Sequence, residues 1–253
     1  TMVSSSAASD VYKRQPFGHS GETALKEIYS ADFSHNEQSL RVVEILENNG
    51  KGLNLTHEVR DGILKHSKGF GKIIPEDPAE MASTYEGRIV RIADIMAYLN
   101  HDLEDAIRSK VIRINQVPPV CIKILGHSHS ERATVMIRDL ISASEVREGE
   151  LRLQMTDDVY AAMMELRQFL YENVYRSARV HKDFEKSKKI LSELYSYFLE
   201  NDKILEQKLI ELKMDRCNDS HFPKRTVCDV IASMTDRYAL NLYKKIFFPS
   251  PLV

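Results

Sequence analysis

Tryptophan is absent from this chain, and glycine (10), proline (8) and cysteine (3) are scarce across its 253 residues. So few turn-forming residues leave little room for tight reversals, which points to a mostly helical chain. Cys121, Cys217 and Cys228 are an odd, sparse set, too few for a disulfide framework. They point to a reducing cytoplasm. Cys217, His221 and Cys228 match no standard zinc spacing and lack a fourth ligand, so they read as plain reduced thiols and a histidine. Long apolar runs are missing too: the longest, Val159 to Met164, has six residues, whereas a spanning helix needs about 20. No charge sign dominates. Lys and Arg number 35 against 37 Asp and Glu, net −2, which is no electrostatic footprint for nucleic acid or an anionic membrane. Neither a Gly-Lys-Ser/Thr phosphate loop, nor a G-x-S-x-G elbow, nor an H-E-x-x-H helix occurs. Phosphate chemistry would therefore have to be centred on a metal.

The hydrophobic share of 43% and the charged share of 28% are ordinary for a globular protein. The first 15 residues, TMVSSSAASDVYKRQ, are small and polar, then abruptly basic, with no apolar signal core. They read as a foreign tail. From Pro16 on, the pattern is helical. Ser34 and Glu37 form a capping-box signature before Leu40, Val43, Ile45 and Leu46, and Asn48-Asn49-Gly50-Lys51-Gly52 ends that helix. Thr56 caps a helix to about His66, and 68–78 is a loop. The longest regular segment spans about Ala82 to Lys110. Ser128 with Glu131 repeats the capping box, and Thr156-Asp157-Asp158 opens a helix carrying Met163, Leu166, Leu170 and Val174 toward a core. Helices follow over about 182–200 and 202–214, and Thr226 is expected to cap a last one to about Phe247. No strand pattern longer than a few residues occurs. The fold class is all-α, one compact unit without an obvious linker.

Within Ile89 to Ile107, a wheel at about 100° per residue gathers Ile89, Ile92, Ile95, Met96, Leu99, Leu103 and Ile107 in one sector. Asp94, Tyr98, His101, Asp102 and Asp105 fall together on the other side. Such a stripe could hold a cation or orient a polyphosphate. A solvated polar face is the simpler reading of the pattern alone. His19 stands three residues before Glu22, which could hold its tautomer. His57 and His66 lie on opposite faces of one helix and cannot share a site through it. His127 and His129 read as helix-start residues. Arg167 and Tyr175 lie near one face and could serve a phosphate and a sugar, or be a snorkelling Arg and a half-buried Tyr.

Five runs carry a resemblance: PFGHSGE (Pro16 to Glu22), FSHNEQSLRVVEIL (Phe33 to Leu46), GLNLTHEVRDGILKHS (Gly52 to Ser67), RIADIMAYLNHDLEDAI (Arg91 to Ile107) and VCDVIASMTDRYALNLY (Val227 to Tyr243). In this order they resemble the bacterial deoxyguanosinetriphosphate triphosphohydrolase-like proteins. These belong to the HD-domain superfamily, which also holds the vertebrate SAM- and HD-domain dNTP hydrolase. The resemblance covers essentially all of 16–253. It implies an HD-domain helical bundle over 16–145, incomplete at its N-terminus, and a C-terminal helical region over 146–253 packed on it, after the tail 1–15. It implies the reaction dNTP + water → deoxynucleoside + triphosphate, with a divalent metal (Mg, Mn or another transition metal). Asp94 resembles the family's last metal ligand, and Tyr98 and Asp102 its substrate contacts. His19 resembles an active-site histidine with Glu22 as partner, and His35 a further catalytic one. Arg167 and Tyr175 resemble the pair reaching phosphates and nucleoside. The resemblance also implies homo-oligomers, with dNTPs as effectors as well as substrates; the cysteines and the short apolar runs set the expectation of a cytoplasmic location and no membrane partner.

One departure is large. In the family, His-Asp-Leu-Gly-His precedes Pro-Phe-Gly-His with one residue between. Here Asp10-Val11-Tyr12-Lys13-Arg14-Gln15 stand in that place, and an earlier ligand histidine has no counterpart. Three of the four implied metal ligands are thus missing, so the expectation is an N-terminally truncated chain with its metal lost or weak and no catalysis. Two alternatives remain. One is another HD phosphohydrolase, against which the Tyr98/Asp102 spacing argues. The other is a non-catalytic scaffold or regulatory subunit on the same fold.

Overall fold

A computed structural model describes residues 18–67, 71–214 and 223–249, leaving aside the side chains of His19 and Arg179. The tail 1–15, Cys217 and His221 lie outside the described residues. The fold is all-α. The strands found among the described residues, β1 (Glu145–Arg147) and β2 (Glu150–Arg152), form one short antiparallel hairpin. Residue contacts divide the chain into two units, 1–64 with 182–253, and 65–181, instead of the single unit expected. The division reflects two separate apolar cores.

The first unit contains α1 (Gly18–Ile28), α2 (His35–Arg41) and most of α3 (His57–Lys65). It also contains the greater part of α8 (Ala178–Glu200), then α9 (Asp202–Leu212), α10 (Lys224–Ala232) and α11 (Asp236–Phe247). Leu25, Phe33, Leu194, Phe198, Val227 and Ile231 lie in its core. Ser34 starts α2 as expected, its hydroxyl accepting from the Glu37 N–H at 3.2 Å. The chain then passes through a π-helical turn, Val42–Leu46, and reverses at Asn48, Asn49 and Gly50, all at positive φ. Short polar side chains and glycine tolerate that left-handed backbone best. Gly52 (φ 68) is fixed more tightly, since an added Cβ would collide with the Glu44 carbonyl. Cys228 is buried and reduced here, as Cys121 is in the second unit.

The expected last helix is two helices. Thr226 does not cap it: the side chain is buried inside α10. The Ser233 N–H closes α10 on the Asp229 and Ile231 carbonyls, and Thr235 caps α11 by accepting from the Tyr238 N–H at 3.2 Å. Both threonines look alike in sequence; core contact decides which one turns inward.

The second unit is built on α4 (Tyr85–Arg108), α5 (Pro119–Leu125), α6 (His129–Ala143) and α7 (Asp157–Leu170). Thr84 caps α4, and Ser128 with Glu131 completes a full capping box on α6. Helix α7 packs on α4 and α5, and α6 packs on α4. The apolar side of α4 follows the wheel at Ile92, Ile95, Met96, Leu99 and Leu103, all buried. Ile89 departs from it at 40% exposed, at the edge of that sector. Thr156 starts α7, yet its hydroxyl is turned to Asp139 Oδ1 at 2.7 Å and caps nothing.

Candidate functional site

The stripe of α4 meets α7 and the residues just after it. Helix α7 ends at Leu170 and continues as a π-helical turn, Tyr171–Tyr175. That wider turn changes the direction in which Tyr175 leaves the backbone, relative to an uninterrupted α-helix. The Tyr175 hydroxyl donates to Asp102 Oδ2. One turn earlier on α4, Tyr98 is hydrogen-bonded to Arg167. Arg167 is not the snorkelling side chain of the simpler reading. It is 3% exposed, and its Nη1 donates to the Gly71 carbonyl at 2.7 Å. Two positions four apart on α4 thus meet two positions eight apart on the facing segment.

Burial and charge shape these groups. Burial pushes the Tyr98 phenol up to about 12; Arg167 draws it down, and Asp102 and Asp94 add to the rise. Burial, then the Asp102 charge and the hydrogen bond to it, raise Tyr175 further still. Both phenols are therefore neutral donors at physiological pH. A cleft of about 470 Å³ opens beside Tyr175, lined by Asp102, Asp105, Arg108, Ser109, Val174 and Tyr175. Its size suits a small organic ligand. Asp105, also on the expected stripe, sits at the surface in an ion pair with Arg108. Asp94 is half-buried on the same stripe.

Sequence reasoning missed Arg91. It is 3% exposed on α4, its Nη1 donating to the Glu80 carbonyl at 3.3 Å and its Nη2 facing the Glu80 carboxylate at 3.7 Å. Burial lowers its pKa, Glu80 opposes that, and the neighbouring Arg167 adds to the lowering. Two buried guanidiniums therefore stand close enough to feel each other. The signal was available: on the same wheel Arg91 falls between Tyr98 and Asp102, on the polar stripe.

In the first unit, Glu22 on α1 accepts from His35 Nδ1 on α2 at 2.9 Å and pairs with Lys26 at 3.0 Å. Burial would raise the Glu22 pKa, but His35 and then Lys26 outweigh it and hold the carboxyl at about 2. The Asn36 side chain, next to His35, donates to the Leu64 carbonyl at 2.7 Å and ties α2 to α3. The backbone of His19 lies in α1; its side chain is outside the described residues.

A helical chain that bonds one buried phenol to a carboxylate and another to a buried arginine, on neighbouring turns of one helix, has the makings of a phosphohydrolase. Residues 153–245 match the family model described as Phosphohydrolase-associated domain. The chain belongs to the deoxyguanosinetriphosphate triphosphohydrolase-like family. It is 54% identical over 239 residues to a protein of that description from Desulfatibacillum aliphaticivorans, covering 94% of this chain and 68% of the relative. A relative from Caldanaerobacter subterraneus subsp. tengcongensis is 44% identical, with 93% and 64% covered, and one from Clostridium perfringens 37%, with 92% and 66% covered. The chain spans about two thirds of the length of these relatives.

Proposed function

We propose that this chain carries the substrate-holding part of a metal-dependent deoxynucleoside triphosphate triphosphohydrolase. The observation that carries the reading is the paired arrangement of Tyr98 with Arg167 and Asp102 with Tyr175. A neutral phenol and a carboxylate suit sugar hydroxyls, and a desolvated guanidinium suits phosphate oxygens. Arg167 neutralises the triphosphate, while Tyr98, Asp102 and Tyr175 hold the nucleoside. Glu22 fixes the orientation of His35, and His19 or His35 supplies the proton to the departing nucleoside oxygen. The HD-type core over 16–145 and the C-terminal region over 146–253 belong to the same reading, as do a cytoplasmic location, homo-oligomers and dNTP effectors.

The family's divalent metal does not fit the described residues. Among them, no three His, Cys, Asp or Glu side chains converge as a metal site. Asp94 alone supplies one carboxylate, where hard cations collect several oxygens. The reading accordingly holds that the 253-residue polypeptide itself does not turn over. A scaffold or regulatory role on the same fold is the second reading, favoured by the same missing donors.

The test is release of inorganic triphosphate from dGTP with Mn²⁺, followed by ³¹P NMR. The 253-residue chain should release none. A chimera preceded by the upstream segment of the Desulfatibacillum relative should release it. Turnover by the unextended chain would refute its inactivity, and a silent, folded chimera would favour the scaffold.

A further inference from the structure

His101 on α4 and His129 at the start of α6 are not used by the hydrolase reading. Their rings lie 5.0 Å apart between centroids, inclined at 44°. That angle is neither the parallel arrangement of a stack nor the perpendicular one of an edge contact. A cation about 2.1 Å from one nitrogen of each imidazole sits about 3.2 Å from each ring centre, which puts the centroids about 4.5–5.2 Å apart at ligand angles of about 90–110°. The observed separation falls in that interval. We propose that His101 and His129 form a two-histidine site for a borderline divalent transition cation such as Zn²⁺, distinct from any metal held by Asp94.

The surroundings hold the pair in place. Arg132, one turn into α6 from His129, is 1% exposed. Its Nε donates to Asn100 Oδ1 at 3.0 Å, Nη1 to the His127 carbonyl at 2.9 Å, and Nη2 to Glu104 Oε1 at 2.7 Å. One guanidinium therefore grips the residue before His101, the residue two before His129, and a carboxylate that offsets its own charge. Each imidazole offers one nitrogen to the cation and keeps the other for a hydrogen bond, the usual division for metal-bound histidine. Imidazole selects zinc, copper and nickel over magnesium. Nearby carboxylates are committed elsewhere: Glu131 accepts from the His127 and Ser128 N–H groups, and Glu104 holds Arg132. Water completes the coordination. Asp94 lies seven residues before His101 on α4, about 10 Å along the axis, so the two positions cannot share one ion.

Zn²⁺ alone is the probe, titrated into the 253-residue chain by calorimetry. One equivalent should bind with low-micromolar affinity. His101→Gln or His129→Gln should weaken it at least tenfold, while His127→Gln, at an exposed neighbour, leaves it unchanged. Full retention of affinity in both of the first two variants would overturn the proposal. Should either fail to fold, diethyl pyrocarbonate labelling of the unaltered chain decides. Zn²⁺ should protect His129 and leave His127 reactive; equal labelling of both, with or without Zn²⁺, would overturn it. None of these outcomes depends on hydrolase activity.

Discussion

Tyr175 donates its phenolic proton to Asp102, 73 residues earlier, and so ties the π-helical turn after α7 to the polar stripe of α4. A bond to a carboxylate contributes about 1.5–3 kcal/mol. Tyr175→Phe removes the donor and keeps the ring. The expected result is a loss of about 2 kcal/mol in urea unfolding, with dGTP affinity lower by about tenfold because Asp102 is no longer held. Unchanged affinity would mean that Asp102 is not a nucleoside contact.

Arg167 links three elements, through Tyr98 on α4, Gly71 in the preceding loop, and its own helix. Arg167→Met keeps most of the volume but leaves the Gly71 carbonyl and the Tyr98 hydroxyl without their donor. The expected cost is about 2–4 kcal/mol, measured by chemical denaturation. Arg167→Lys should recover only part of it, because one ammonium cannot reproduce the planar fork.

Glu22 makes a pH prediction with a definite sign. Its carboxyl is held at about 2, below the ordinary value of 4.5. A lowered carboxyl pKa stabilises the folded state above pH 4.5, and the contribution is lost as pH falls from there toward 2. Partial solvent screening limits it to about 1–2 kcal/mol. Glu22→Gln should flatten the fall in melting temperature across that window. A parallel fall in both proteins would show that the His35 and Lys26 contacts contribute nothing.

The two threonines of the C-terminal region make an internal comparison. Thr235→Ala removes a helix cap and should cost about 1 kcal/mol. Thr226→Val, at a buried helical position, should not produce the same cap loss. Gly52→Ala should cost at least about 2 kcal/mol, from left-handed backbone and the collision with Glu44 together. Thermal melts of the three variants check the order.

Much of the helical pattern was legible because its signals are local. Ser34 and Ser128 cap α2 and α6, and Asn48-Asn49-Gly50 reverses the chain where turn chemistry points. The α4 stripe was legible as a stripe, because periodicity defines faces. What each face touches was not. Nothing local says that Tyr175 reaches Asp102, that Glu22 meets His35 across 13 residues, or that Arg91 is buried beside Arg167. Those pairings depend on how helices distant in sequence pack. The two π-helical turns also carry no periodic signature. Thr226 and Thr235 show the limit: both satisfy the capping rule, and only burial separates them.

The central claim is that the stripe holds a deoxynucleoside triphosphate. Equilibrium dialysis of the 253-residue chain with radiolabelled dGTP tests it most directly, since binding does not require turnover. The account predicts saturable binding that drops at least tenfold in Asp102→Asn and in Tyr98→Phe, with both variants still folded. Undetectable binding to the parent chain, or equal binding by all three proteins, would contradict it.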